Sequence, residues 1–510
     1  MPEYIRALIA ILFFASLTYL YAKKALQPML LPEEYKRWRN AWFTITLLAF
    51  LSQNFWVFIA LSSLYLLYVA KSEQNKFALY FALVIIIPTI SARIPNLFEL
   101  NFVRVLALTI FLPYFIAFRA SSDSPSFGKP LAEKFLLVFM LLNTVMMMRG
   151  TSFTDALRYG FYGVTDVFLP YFAASRAIKD FDQLKKVMIA FTLACLIASV
   201  IAMYEFTNSW LLYSSLQDAL HVDWSMGRYL SRGDSIRAIA SLGHSIILGF
   251  VMMVGMGFYL FLAPSIKNKF LRLAGLGLII GGLISSLSRG PWLGTAVLLL
   301  TLVVFGRKAI KHLALLIIVI VIAVPALHWI PGGQKVINLI PFIGETDKDN
   351  VVYRQKLIDN SIIIIERYPL FGVYNPKDEP EMAEMVQGEG IIDIVNTYLA
   401  VALYNGLVGL ALLLGFFSMV VITLLKKMRR ITDKESEEYL CGRTLLAILM
   451  GVLVTIFTVS SIGVIPTVYW SLAGLVFSYA RITGQPRASR TGQKSVERPV
   501  YSTSRLKSEV

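Results

Sequence analysis

The chain has 510 residues, of which 57% are hydrophobic and only 16% charged, with a mean hydropathy of +0.65 and a formal net charge of +16. A soluble domain carries about 25% charged residues, so this composition excludes an ordinary water-solvated surface. The positive charge sits at the ends of apolar runs, which fits a membrane surface and argues against nucleic acid as the partner.

Taken in chain order, apolar runs between charged breaks predict spans at 5–22, 41–52, 54–70, 77–91, 102–118, 135–148, 161–175 and 187–206. The pair within 41–70 also reads as one helix. After a polar stretch come 238–263, 270–287, 291–305 and 313–330, and after a longer one 391–424, 442–460 and 464–480. Leu313–Ala326 and Ala447–Trp470 contain no charge. The short alternating segments of a spanning β-barrel are missing, and no internal repeat is visible. The expected fold is an all-α polytopic bundle of about 12–15 transmembrane helices over residues 1–480. The first segment lacks a small-residue cleavage site before Lys23 and Lys24 and reads as a retained helix.

Lys71/Lys76, Lys179/Lys185/Lys186, Lys267/Lys269/Arg272, Arg307/Lys308/Lys311 and Lys426/Lys427/Arg429/Arg430 fall on one side of this count. The positive-inside rule makes that side cytoplasmic. The stretch 481–510, with seven Lys/Arg against two Glu, reads as a disordered cytoplasmic tail held near anionic lipid. The stretches 207–236 and 331–390 then face outward. The second holds ten Asp/Glu against six Lys/Arg and is far longer than an ordinary connection. Its apolar Ile362–Ile365 predicts helices lying over the membrane domain. Cys195 and Cys441 sit in or beside apolar runs and read as small core residues.

Four outward features carry candidate chemistry. Arg232 and Arg237 lead into Gly243-His244 at the start of a span, and Ser288-Arg289-Gly290 interrupts the apolar stretch 270–305. Tyr353-Arg354 opens a segment that closes on Pro369-Leu370-Phe371-Gly372, and Glu389, Asp393 and Asn396 precede the span from 391. Arg237 and Arg354 also suit headgroup anchors, His244 a structural histidine, and Glu389 and Asp393 ordinary acids at a helix start. Arg289, inside an apolar stretch, faces the protein interior or a cavity by default. Asp180-Phe181-Asp182 and Asp347-Lys348-Asp349 match the three-residue metal motif of soluble glycosyltransferases only by chance-level pattern. Several arginines with a carboxylate beside them suit a phosphate-bearing substrate at the interface: the planar guanidinium matches phosphate oxygens, and the carboxylate can accept a proton from an attacking hydroxyl.

In this order the features resemble the O-antigen ligase and O-antigen polymerase superfamily of bacterial membrane glycosyltransferases. The resemblance covers roughly 230–425: Arg237 to His244, Ser288 to Gly290, Arg354 with Pro369 to Gly372, and a helix opening that reads His-Asn-x-Tyr-Leu in many members, followed by Gly-Leu-x-Gly. Here those positions are Val395 to Leu399 and Gly406 to Gly409. Arg232 and Gly243 also fit an Arg-x10-Gly spacing described for some polymerases. The family histidine, often assigned as base, is Val395.

The resemblance implies a glycosyltransferase in the bacterial inner membrane with no metal or other cofactor, and an undecaprenyl-diphosphate-linked oligosaccharide as donor at the periplasmic leaflet. Arg232, Arg237, Arg289 and Arg354 would hold the diphosphate, and Asp393 or Glu389, then His244, would be the base. The acceptor stays open between another lipid-linked repeat (an exopolysaccharide or O-antigen polymerase), lipid A-core (a ligase) and a protein; polymerase is favoured because the missing histidine moves the chain from the ligase pattern. Polysaccharide assembly proteins are further candidate partners. The rival class, a non-enzymatic lipid-glycan flippase, would want charges through mid-membrane spans and repeated halves.

Overall fold

A computed structural model of the chain describes residues 1–95, 97–119, 128, 130–150, 153–224, 229–232, 235–307, 311, 314, 318, 329, 348–386 and 390–484. The expected span 313–330 apart from three single residues, the acid Glu389 and the tail from 485 lie outside them.

The fold is an all-α polytopic membrane bundle, with two short antiparallel hairpins among the described residues, Ser91–Arg93 with Glu99–Asn101 and Ser231–Arg232 with Ser235–Ile236. Among the described residues, seven helices are long and apolar enough to cross a bilayer: Glu3–Ala25, Phe55–Ser72, Phe102–Arg119, Phe181–Asn208, Ser245–Ser265, Thr397–Arg429 and Glu437–Thr458. Shorter helices fill the bundle between them, among them Leu131–Met147, Lys269–Ser285, Arg289–Val304 and Ile465–Ile482. The 41–70 region is two helices, Pro32–Leu51 and Phe55–Ser72, because Asn54 accepts from Trp56 N and Val57 N and caps a new start. The expected span at 77–91 is helical only over Lys76–Leu83.

Lipid exerts no hydrophobic pull between helices, so close packing of small residues carries helix association here. A Cβ on Gly294 would lie 2.0 Å from Thr455 Oγ1 and 2.8 Å from Gly451 O, which shows how closely Arg289–Val304 approaches Glu437–Thr458. That approach matters for the site, since it places Arg289 at the level of Thr458.

The basic clusters gather at one end of the bundle. Lys186 pairs with Glu34 at 2.8 Å, Arg37 with Glu73 at 3.0 Å, Lys185 with Glu437 at 2.7 Å, and Arg307 with Glu435. At the opposite end, the Lys348–Arg367 helix covers a small second core of Leu357, Ile364, Val373, Met382, Met385, Ile394 and Leu403. The apolar Ile362–Ile365 segment thus forms part of a helix, and Ile364 is its fully buried member.

Candidate functional site

Five helix ends meet at the end opposite the basic clusters: the starts of Ser245–Leu262, Arg289–Val304, Thr397–Arg429 and Ile465–Ile482, and the close of Glu437–Thr458. The turn between Lys269–Ser285 and Arg289–Val304 is tight enough to hold Leu287 at φ +45, a left-handed conformation that costs a non-glycine residue about 1–3 kcal/mol. Two arginines brace it. Arg232 donates to Leu287 O, and Arg237 Nη2 donates to Ser288 Oγ at 3.0 Å. Arg289 is the next residue, and a Cβ on Gly290 would come within 2.4 Å of Thr458 Oγ1.

From the other side, Arg354 Nη1 donates to Thr458 O at 3.0 Å. Arg232, Asp393 and Arg289 all lie in electrostatic reach of Arg354. Burial above all, and then the Arg232 charge, push the Arg354 guanidinium below its ordinary value, although an arginine remains cationic throughout. Asp393 is tied to the same strip, accepting from Ser460 Oγ at 2.7 Å. The Tyr353 hydroxyl fixes its backbone, donating to Asp393 O at 3.0 Å and accepting from Asp393 N at 3.2 Å. Thr397 Oγ1 donates to Val459 O at 2.9 Å and sets the helix start beside them.

The structure therefore brings Arg232, Arg237, Arg289, Arg354 and Asp393 together, each half-buried, on one surface. Among the described residues, Arg354 is the member of this group that feels the charges of Arg232, Arg289 and Asp393 together.

His244 caps the Ser245–Leu262 helix, with Nδ1 accepting from Ile246 N at 3.2 Å. Burial, and secondarily the Arg237 charge, push the imidazole down to about 4. It is thus neutral at physiological pH, and with Nδ1 accepting, the proton resides on Nε2. That tautomer offers a hydrogen-bond donor.

The helix opening departs from the sequence expectation in a useful way. Residues 391–396 are irregular, closed by Val395 N donating to Asp393 O at 3.1 Å, and regular helix begins at Thr397. Val395, at the family's histidine position, packs against the small second core. Asp393 turns instead to Ser460.

Sequence reasoning missed three contributors. Thr458–Ser461 is uncharged and carries no motif, yet it fastens Arg354, Asp393 and Thr397. Glu205, fully buried at the end of Phe181–Asn208, accepts from Leu212 N at 3.0 Å, Ile239 N at 2.9 Å and Ala240 N at 2.7 Å. It holds the segment between Arg237 and His244, including Ala240 at φ +46. A lone acid beside an apolar run was the available signal. Arg149 is the third, described below.

Residues 274–414 match the family model of O-antigen ligase. The resemblance to the O-antigen ligase and polymerase superfamily is thereby shown over that stretch, and it supports a membrane glycosyltransferase activity of this general type in a multi-pass bacterial membrane protein. No curated protein matches the chain. The O-antigen ligase match contains Arg289, Arg354, Glu389 and Asp393, whereas Arg232, Arg237 and His244 reach the same surface from outside it.

Two glycine motifs inside the O-antigen ligase match are a single structural device. The Thr397–Arg429 helix breaks at Gly406 (φ 67, ψ −171), and the Pro369–Gly372 turn docks into the break. Val373 N donates to Leu403 O at 2.8 Å and Leu407 N to Pro369 O at 2.8 Å. Arg149 then clamps both, donating to Gly372 O at 2.9 Å, Phe371 O at 2.9 Å and Tyr404 O at 3.2 Å.

Proposed function

We propose that the protein transfers a glycan from an undecaprenyl-diphosphate-linked donor at the periplasmic face of the inner membrane, as an exopolysaccharide or O-antigen polymerase whose acceptor is another lipid-linked repeat. The observation that supports this reading is the gathering of Arg232, Arg289 and Asp393 about Arg354, with Arg237 on the adjoining Ser288. The guanidinium groups bind the diphosphate and stabilise its growing charge as the bond from sugar C1 to the phosphate oxygen breaks. Asp393, oriented by Ser460, takes the proton of the acceptor hydroxyl as its oxygen bonds to C1. The Nε2–H of His244 adds a neutral donor to the same charge.

Deletion of the gene tests the reading in cells, and a polymerase leaves single lipid-linked repeats behind. Full-length polymer not joined to its acceptor would point to a ligase instead. Arg289→Ala and Arg289→Lys both lose polymer at normal protein level, since a point charge does not reproduce the two-donor fork. Full polymer from both variants would remove Arg289 from the site.

A further inference from the structure

Away from the arginines, a second group of ligand-capable side chains surrounds Arg149 and Gly150. These two residues follow the Leu131–Met147 helix, whose other end carries Glu133, paired with Arg176 at 2.6 Å. Arg149 holds the Tyr404 carbonyl, and Gly150 lies so close under Tyr374 that a Cβ would come within 2.3 Å of its ring. Tyr159, from the Phe153–Tyr162 helix, lies in electrostatic reach of Tyr374 and of Tyr404, and Asp378 in reach of Tyr404. Tyr404 is seven residues beyond Thr397, about 10 Å along the helix at 1.5 Å per residue. The patch is therefore a neighbour of the arginine surface and distinct from it.

Tyr374 and Tyr404 are half-buried and Tyr159 is exposed, so the three phenols border solvent with their rings against the protein. Among the described residues, the hydroxyls of Tyr159, Tyr374 and Tyr404 make no hydrogen bond. Three phenols that can each donate and accept, with an exposed carboxylate beside them, suit a ligand whose own groups do both. A sugar has that chemistry, with apolar ring faces to lie against the aromatic rings. The local arginines are already engaged: Arg149 by three carbonyls, and Arg158 by Asp155 and Leu97 O. The patch thus lacks the phosphate-binding character of the first site.

We infer that Tyr159, Tyr374 and Tyr404, with Asp378, form a saccharide subsite that binds uncharged sugar residues of a glycan substrate while its diphosphate end lies at the arginines. This rests on the glycan-transfer reading above.

The test uses the full chain in lipid nanodiscs with two separate probes. One is the oligosaccharide released by mild acid from the host's own lipid-linked precursors, and the other is undecaprenyl diphosphate, which carries no sugar. Replacing the three tyrosines by phenylalanine keeps the rings and removes only hydroxyls that bond to none of the described residues. The triple variant is expected to bind the oligosaccharide at least tenfold more weakly and undecaprenyl diphosphate as before. A tenfold rise in KM for donor alone, or for acceptor alone, assigns the patch to that substrate's sugars. Unchanged oligosaccharide affinity, or an equal loss for both probes, overturns the subsite. Failure of the unaltered protein to bind undecaprenyl diphosphate would instead defeat the diphosphate reading, leaving the oligosaccharide to decide the patch independently.

Discussion

Asp393 lies two residues ahead of the position where relatives carry histidine, and in a regular helix that offset would turn it roughly 200° away. The helix begins only at Thr397, so this objection falls. The irregular segment sends Val395 into apolar packing and Asp393 to Ser460, beside Arg354. A carboxylate that accepts a proton is worth about 10²–10⁴ in rate. Asp393→Asn keeps the size and the Ser460 hydrogen bond and removes only the proton acceptor. It is therefore expected to cut turnover by about 10²-fold or more at unchanged membrane level, measured as polymer length from lipid-linked repeats. Glu389→Gln is the matched comparison, because Glu389 is the other acid that precedes this helix. If Glu389→Gln alone loses activity, the base is Glu389; if neither does, no carboxylate on this segment is the base. His244 was a weaker candidate on sequence alone, and its Nδ1 contact now favours a donor role.

At the scale of elements, Pro369–Gly372 and Gly406–Gly409 read in sequence as separate motifs, and their purpose was invisible there. Their meeting depends on backbone geometry: Gly406 breaks a helix that composition alone extends without interruption, and the turn inserts where Leu403 O and Leu407 N are released. A Cβ on Gly406 would lie 2.2 Å from Leu370 O, and one on Gly372 2.1 Å from Leu403 O. Both glycines also have positive φ, at 67 and 62. Gly406→Ala combines a forbidden conformation with a backbone clash and is expected to destabilise by more than about 2 kcal/mol. Gly277→Ala makes the control, since a Cβ there meets nothing within 4 Å and alanine is the better helix former. Thermal unfolding of the detergent-solubilised variants separates them: a clear fall in melting temperature for Gly406→Ala, little change or a slight rise for Gly277→Ala. Equal melting temperatures would show that the kink tolerates a side chain and that the docked turn is loose.

For the whole molecule, composition and apolar periodicity are enough to read the helical membrane class. Two features were not legible. Thr458–Ser461 joins the site through uncharged side chains and carbonyls over 60 residues from Asp393 and 100 from Arg354, contacts that no local pattern encodes. Glu205 works by accepting three backbone N–H groups from loops whose course only the fold determines. Orientation is the remaining property of the whole, and the charges argue it from both ends. The end rich in lysine pairs Lys185, Lys186 and Arg307 with acids, and the positive-inside rule predicts that it faces the cytoplasm. The opposite end also holds arginines, but Arg232, Arg237 and Arg354 are drawn inward onto Leu287, Ser288 and Thr458. They do not behave as the free loop charges that the rule counts, and the 331–390 stretch around Arg354 is net acidic. Cysteine labelling checks this directly, because Cys195 and Cys441 are both buried and stay silent. Lys377 and Lys434 are exposed at opposite ends. In spheroplasts, a membrane-impermeant maleimide is expected to label Lys377→Cys, and to reach Lys434→Cys only once the membrane is opened. The reverse pattern would place the arginine surface in the cytoplasm, where a periplasmic lipid-linked donor could not meet it.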